Sequence, residues 1–594
     1  MPALPREYRF GTFTFLPAEH RLLAGDREVV LRPKAFDTLR CLVEQHDRVV
    51  SRDELLDAVW PDTSVSEAVL THCVTEVRQA LGDTAREPRF VKTVSRFGYR
   101  FVAEVTTVDV TAAHADVAPS SSAIVVLPFA NLSGDPENEY LCDGLAEELI
   151  NALTKVGGLQ VVAHSSSFSF KGRNIDAREI GRQLDVGFIL EGSIRRNGDQ
   201  VRLSAQLIDA ALGYHIWCEQ YDRTLGDLFA IQDEISRAIL ASLPGAFGRS
   251  DRVPLVRPAT ASVDAHVLYL KGRVFWHQRH GGYLERGMEC FGQALAKDPG
   301  FALAYTGLAD SLSTLGIWAV ARAGDVFPKA ATLANTAIDL DPHLAEAHAS
   351  RALIRLFWDW EWDLAERGFR TALDLNPGCA LIRLWYGHYL SIVGRMDEAI
   401  AEMRRAQRLD PLSPVCSANL GFTCYLAHRQ PLAIAELEQV LARSPRNGMA
   451  LFYLGWAFIE TGQYDEAVAA LEAAFEETRG MPWSLEGIAL AHARAGRSVR
   501  AREIAERCQP AGSAVAILRL AAGDDEGVLD ALEHAVDERD AMLPWLKFMP
   551  CFDHLGGHPR FRAVLRRLGL LEPSARGEAL NKALMAERPE GGTT

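Results

Sequence analysis

The order of apolar and polar positions divides the chain into three textures, and the first is short and mixed. Residues 8–31 alternate apolar and polar side chains in pieces, YRFGTFTF, HRLLAG and REVVL, which predicts a small antiparallel sheet with a turn at Gly25-Asp26. Pro33 opens a helix whose Phe36, Leu39, Leu42 and Val43 share a face. Ser51 and Glu54 have the spacing of a capping box, and the helix they start carries Leu55, Leu56, Val59 and Trp60 before Pro61 stops it. In VSEAVLTHCVTEVRQALGD, Leu70, Val74, Val77 and Leu81 recur at spacings of four, three and four. They fall on one side of a helix, leaving Thr71, Thr75, Arg78 and Gln79 to point elsewhere. RFVKTVSRFGYRF then reads as a hairpin turning around Ser95 to Gly98, with Lys92, Arg96 and Arg100 interleaved.

The second texture follows residues 104–122, a small and polar stretch read as a linker. Ala123 to Phe129 is a continuous apolar run of strand length, and Leu141, Leu145, Leu149 and Leu153 step through a helix. LQVVA is a second strand, and Ile180 with Leu184 marks a short helix. VGFILEGSIRR and QVRLSAQLID join across Asn197-Gly198, a hairpin signal of the type I′ turn, which needs positive φ at both central positions. YHIWCEQYDR adds a strand and Leu228 to Leu243 a closing helix, so residues 123–245 form an α/β domain. On its first helix Asp143, Glu147 and Glu148 read as a solvated face whose acids suit the helix dipole, and Ser165 to Ser167 as a loop without a partner base.

From about His266 the third texture is a repeat. Pro299, Pro342, Pro377, Pro411 and Pro445 are separated by 43, 35, 34 and 34 residues. Small residues precede each proline at two fixed offsets: Gly287/Ala294, Ala330/Ala337, Ala365/Ala372, Ala399/Ala406 and Ala433/Val440. These are positions where two antiparallel helices approach closely, and Gly394, Gly462 and Gly496 sit at the turns. The count is about eight helix pairs over residues 266–539, the second enlarged near Gly316 to Pro328. A helical cap over 540–571 and a disordered tail over 572–594 complete the expectation.

Charge changes the picture only when it is located. The chain of 594 residues carries a formal −15, which argues against a nucleic-acid partner. Yet residues 1–103 hold 15 basic and 15 acidic side chains, so the excess lies wholly beyond them. Residues 82–103 hold five basic against two acidic, and phosphate contact depends on such local charge because screening acts within about 10 Å at 0.1 M salt. The ten cysteines stand singly, without a C-x-x-C pair, which points to reduced thiols in a cytoplasm. There is no apolar signal-peptide core and no charge-free apolar run of about 18 residues, so a cytoplasmic protein with no membrane partner is expected. No Walker A loop, G-x-G-x-x-G, H-E-x-x-H or G-x-S-x-G is present. The expectation is no enzyme, with no catalytic residue, no metal and no cofactor.

A polar helix face beside a basic hairpin is the surface a winged helix-turn-helix presents to DNA. Sheet, three helices and hairpin in this order, with LRPKAFDTL, VVSRDELLDAVWP, VRQALGD and TVSRFGYRF, resemble the OmpR/PhoB-type DNA-binding domain over residues 5–103. The resemblance implies that the third helix enters the major groove, with Thr71, His72, Thr75 and Glu76 at base edges or nearby phosphates and Arg78 at a phosphate. Thr93, Ser95 and Arg96 would be wing contacts in the minor groove. Thr75 and Glu76 depart from the arginines many relatives carry there. VLPFANLSGD, YLCDGLAEELINAL, FSFKG and WCEQYDR resemble the amino-terminal domain of TolB-like proteins, and the repeat resembles tetratricopeptide (TPR) repeats, with LFYLGWAFIETGQYDEAVAALEAAF as the best copy.

The fold expected is therefore multidomain and mainly α: a winged helix, a small α/β domain and a TPR solenoid. The function expected is a sequence-specific DNA-binding transcriptional regulator, controlled through the α/β and TPR domains by a partner or ligand, with a homodimer on double-stranded DNA as a further expectation. It belongs with signal transduction of the phosphorelay-related kind, although no amino-terminal phosphoacceptor domain is visible. On the 34-residue register the concave surface carries Phe357, Leu384, His388, Phe422, Tyr425, Phe452 and Trp456. That surface reads either as a groove for an apolar or amphipathic protein segment or as aromatics packed on a neighbouring part of the chain. The alternatives in function are a TPR scaffold with vestigial DNA binding and an enzyme activity in the α/β domain.

Overall fold

The alternating N-terminal stretch folds into four antiparallel strands, β1 (Arg6–Phe10), β2 (Phe13–Leu16), β3 (Arg21–Ala24) and β4 (Arg27–Glu28). The structure, a computed structural model, describes residues 6–571 except 17–20, 25–26, 30, 32, 60–66, 85–87, 95–96, 110–122, 136–137, 244–258, 279–281, 319, 479–482 and 509–511. The Gly25-Asp26 turn, Trp60, Pro61 and the tail from 572 lie outside those residues. Contacts gather into two units, one made of Met1–Ser121, Asp176–Phe188 and Ile208–Ile216, the other of the remaining residues.

Helix α1 (Pro33–Glu44), strand β5 (Val50–Ser51), helices α2 (Arg52–Val59) and α3 (Glu67–Leu81), and strands β6 (Val91–Val94) and β7 (Gly98–Phe101) follow. The start of α2 is a reciprocal capping box: the Ser51 N–H donates to Glu54 Oε2 at 2.8 Å and the Glu54 N–H to Ser51 Oγ at 3.2 Å. Strands β5, β7 and β6 form a three-stranded sheet in that order, and position 98 must be glycine because a Cβ there would strike the Val50 carbonyl. Phe10, Phe15, Phe36, Leu39, Val77 and Phe101 share the core, with the Phe10 and Phe101 rings edge to face at 4.9 Å.

Thr106–Asp109, assigned by composition to the linker, is instead strand β8, antiparallel to β1 from Arg9↔Thr106 to Arg6↔Asp109. It completes the sheet order β4-β3-β2-β1-β8. The pairing satisfies the edge of β1, and a free backbone edge leaves no mark in composition.

The α/β domain runs β9 (Ala123–Val126), β10 (Ala130–Asn131), α4 (Glu139–Leu153), β11 (Gln160–Val161), α5 (His164–Phe168), α6 (Ala177–Leu184), β12 (Phe188–Asn197), β13 (Gln200–Asp209), β14 (His215–Thr224) and α7 (Leu228–Ser242). Strand order is β11-β9-β12-β13-β14, with β10 parallel to β12. All four residues of β9 are buried, as its unbroken apolar run requires. The hairpin turn is Gly198-Asp199, one residue later than read, and of its residues only Gly198 has positive φ (+61°). That is the requirement of a type II′ turn rather than I′.

Among the described residues the solenoid has eight antiparallel helix pairs, from α8 (Val263–Gln278) with Tyr283–Lys297 to Ala514–Ala521 with Asp525–Asp537. The small residues that mark the repeat are buried at the pair contacts, and Gly394, Gly462 and Gly496 take φ of +87°, +78° and +76° at the turns. Two 3-10 segments, Leu543–Phe548 and Pro550–Leu555, and a helix, Pro559–Arg567, close the array. No described helix is long and apolar enough to cross a membrane.

Candidate nucleic-acid interface

Helix α3 buries Leu70, Cys73, Val74, Val77 and Leu81 in the winged-helix core and turns Thr71, His72 and Thr75 outward, with Glu76 and Arg78 half-buried beside them. The Thr75 hydroxyl donates to the Thr71 carbonyl at 2.8 Å, a back-bond within the helix. Arg78, expected at a phosphate, braces the helix to the wing. Its Nε and Nη2 donate to the Val91 carbonyl at 3.1 and 2.8 Å, and Nη2 also donates to Thr93 Oγ1 at 2.8 Å. Thr93, expected as a wing contact, is thus tied to α3, while Ser95 and Arg96 lie outside the described residues.

A second tie was not visible in the sequence. Buried Asp83, just past the end of α3, accepts the backbone N–H groups of Thr84, Arg89, Phe90 and Val91 at 2.7–3.0 Å. Burial pushes its carboxyl up, but those four donors outweigh burial and hold it below its ordinary value. Helix and hairpin are thereby fixed as one rigid surface. Phe97 was also missed: it is 70% exposed at the hairpin turn, where its N–H donates to the Val94 carbonyl at 3.0 Å and its carbonyl accepts from the Arg52 N–H at 3.2 Å. Lys92 on β6 and Arg100 on β7 face each other across the same hairpin and are exposed. A large aromatic side chain with polar neighbours is the available signal, but alternation assigned it to the turn without separating core from surface.

The concave surface of the solenoid is arranged differently. Phe357, Leu384, His388, Phe422, Tyr425, Phe452 and Trp456 are all buried. Trp545 of the first 3-10 segment meets the rings of Phe357, His388 and Phe422 at 5.2, 5.5 and 5.5 Å, and Phe548 lies over Gly394. Burial pushes His388 down to about 4. Of the two readings of these aromatics, the geometry is that of packing on another part of the same chain. Arg539 donates to the Trp358 carbonyl at 2.6 Å, and Trp362 Nε1 to the Leu568 carbonyl at 2.9 Å, fastening the terminal segment to the third pair.

The acidic face of α4 is not solvated. Glu147 Oε1 accepts from Arg273 Nη2 at 2.6 Å and lies 3.0 Å from His277 Nε2, and Asp143 pairs with Lys171 at 2.6 Å. Glu148 meets Gln232 and lies 3.2 Å from His266 Nε2. Ser165 and Ser166 open helix α5 rather than a loop. Both hydroxyls donate to Asp410, 245 and 244 residues away, and the Ala163 N–H donates to the Leu409 carbonyl at 2.7 Å. Helix α4 is thus docked on α8, the first helix of the first TPR pair, and α5 on the end of Met396–Leu409, the second helix of the fourth pair, roles that residue type on an isolated helix cannot announce.

Comparison with known proteins matches residues 26–101 to the family model described as transcriptional regulatory protein, C terminal, and residues 361–414 and 428–482 to tetratricopeptide repeat. The chain therefore carries an OmpR/PhoB-type winged helix and a TPR array. Residues 120–237 match the HilA/YgeH-like transcriptional regulator, second domain, where the motifs alone suggested a TolB-like domain. Among curated relatives, a Rhizobium meliloti (strain 1021) protein provisionally named adenylate cyclase 3 is 37% identical over 250 residues, 42% of each chain. The transcriptional regulator HilA of Salmonella typhi is 23% identical over 414 residues, 69% of this chain and 72% of that one. The transcriptional activator CadC of Escherichia coli (strain K12) is 31% identical over 98 residues, 16% of this chain and 19% of that one. The chain thus spans less than half of the first of these relatives.

Proposed function

We propose that the chain is a sequence-specific DNA-binding transcriptional regulator of the cytoplasm. Its winged helix places α3 in the major groove and the β6–β7 hairpin in the minor groove. The observation that carries the reading is the outward polar face of α3, held to a basic hairpin by Arg78 and Asp83. Such a fixed pair of elements can meet two adjacent grooves without paying an ordering cost on binding. Thr71, His72, Thr75 and Glu76 face the bases or their phosphates. Thr93 stands on the wing, Ser95 and Arg96 are assigned to wing contacts from the sequence alone, and Arg78 serves both as brace and as a phosphate neighbour. The match to a HilA/YgeH-like second domain and the names of HilA and CadC support the same class.

Control enters through the α/β domain and the solenoid by a ligand or a protein partner. The filled concave surface makes an outer face, or displacement of the terminal segment, the route for a protein. The regulator is not an enzyme in this reading; incubation of the full chain with ATP and magnesium checks the cyclase named among its relatives, and cyclic AMP formation would overturn it. The direct test is mobility shift with a fragment ending at residue 110, so that β8 is kept, on DNA from its own upstream region at two salt concentrations. Specific binding that weakens as salt rises is expected. Binding that ignores both sequence and salt would sink the proposal and leave a scaffold.

A further inference from the structure

The aromatic side chains of the winged helix are withdrawn into its core, with one exception among the described residues. Tyr8, Phe10, Phe15, Phe36, Tyr99 and Phe101 are buried, whereas Phe97 stands in water. Across the described residues of the whole chain it is the one exposed Phe, Tyr or Trp. Isolated apolar side chains on a surface are ordinary, so exposure alone assigns nothing. Here, however, the backbone carrying the ring is fixed on both sides. The Phe97 N–H closes the turn on the Val94 carbonyl at 3.0 Å, and its carbonyl accepts the Arg52 N–H at 3.2 Å. Gly98 beside it pairs with Val94 across the hairpin and has no room for a Cβ against the Val50 carbonyl. The ring is thus carried on a rigid turn at the tip of the β6–β7 hairpin, where contact with a partner would order little further backbone.

The charge around the ring selects the partner. Residues 88–103 carry four basic side chains and no acid. Two of them, Lys92 and Arg100, are exposed opposite each other on the hairpin. A neutral apolar protein surface is a poor match for such a tip. A polyanion with apolar faces between its charges is a good one, and duplex DNA has phosphates along its groove edges and stacked bases within. A phenyl ring has no hydrogen-bonding atom and reads no base edge. In a minor groove it can enter a base step from the side, parting two stacked pairs and kinking the duplex toward the major groove. The ease of that parting depends on sequence, and pyrimidine–purine steps open most readily.

We propose that Phe97 is a minor-groove wedge, partly inserted at a pyrimidine–purine step where the β6–β7 hairpin meets DNA, with Lys92 and Arg100 toward the flanking phosphates. It bends the site and adds a preference at a position where the protein makes no hydrogen bond. The inference rests on the DNA-binding reading and goes beyond it, because a wing can occupy the groove without unstacking any base.

The test uses the full chain and the duplex it retains most strongly from a randomised library, with 2-aminopurine replacing each adenine in turn. This base brightens when its stacking is lost. Binding of the unmodified chain should brighten one step beside the α3 footprint and retard circularly permuted duplexes as a bend does. Phe97→Ala should abolish both signals and weaken binding about tenfold, the effect of losing one base-step contact. Phe97→Leu, still an apolar wedge, should keep most of each signal. Because the ring lies outside the core, all three proteins should melt alike. Exchanging the brightened step for a purine–pyrimidine one should weaken the unmodified chain more than Phe97→Ala. The wedge is overturned if no position brightens, or if brightening persists in Phe97→Ala; specific retention of the duplex then leaves the DNA-binding reading standing. Failure of the full chain to retain any duplex overturns both.

Discussion

Two surfaces of this molecule look alike in sequence and differ in what covers them. The outer side of α3 and the concave side of the TPR array are both helical faces left over after the core positions are assigned. In the structure Thr71, His72 and Thr75 remain exposed, whereas Phe357, His388 and Phe422 lie beneath the chain's own terminal segment. Composition separates the two cases. A polar face has no drive to leave water, while a face of aromatics is a patch whose exposure to water is unfavourable, and here the cover is intramolecular.

The contrast is most easily broken at Trp545. Trp545→Ala removes the ring wedged among Phe357, His388 and Phe422 and should cost about 3–5 kcal/mol in urea unfolding of the solenoid. A loss under about 1 kcal/mol would mean that the segment merely rests on the groove. Next in size, Asp83→Ala strands four backbone donors and should destabilise the winged helix by about 2–3 kcal/mol. The pH sign follows from the lowered carboxyl. Its contribution is present above the unfolded value of about 3.9 and is lost as pH falls through the lower folded value. Thermal melts of wild type and Asp83→Asn should therefore converge as acid is added.

Smaller effects sharpen the comparison on the DNA side. Arg78→Ala should lose about 1–2 kcal/mol of domain stability as the brace to Val91 and Thr93 goes, together with DNA affinity at all sequences. Undiminished stability with a flatter salt slope would restore the simple phosphate role. Thr75→Ala should leave stability within about 0.5 kcal/mol, because its hydroxyl only back-bonds to Thr71, while shifting preference among sites by about 1 kcal/mol at one base pair. Competition binding to a randomised site library reads that shift.

What could be read in advance was local. The Ser51/Glu54 capping box, the buried small residues of each helix pair and the positive φ of Gly394, Gly462 and Gly496 all follow from spacings of a few residues or from a fixed period. Most of what was misread or left open turns on contacts between distant parts of the chain. Ser165 reaches Asp410 across 245 positions, Glu147 reaches Arg273 across 126, and Trp545 reaches Phe357 from the far end of the array. An acid on a helix, a serine run or a tryptophan has the same appearance whether it meets water or a remote partner. Strand β8 belongs to this group too, since only the neighbouring edge of β1 makes it a strand.

Repeat arrays ordinarily change length by gaining or losing copies, because each unit touches only those beside it. Here the terminal segment returns to the third pair, where Trp362 binds the Leu568 carbonyl and Arg539 the Trp358 carbonyl. A ninth pair spliced between them would carry Trp545 away from Phe357 and uncover the face it seals. The copy number of this solenoid is therefore fixed by a closure contact, so its descendants can diversify by substitution but not by duplication.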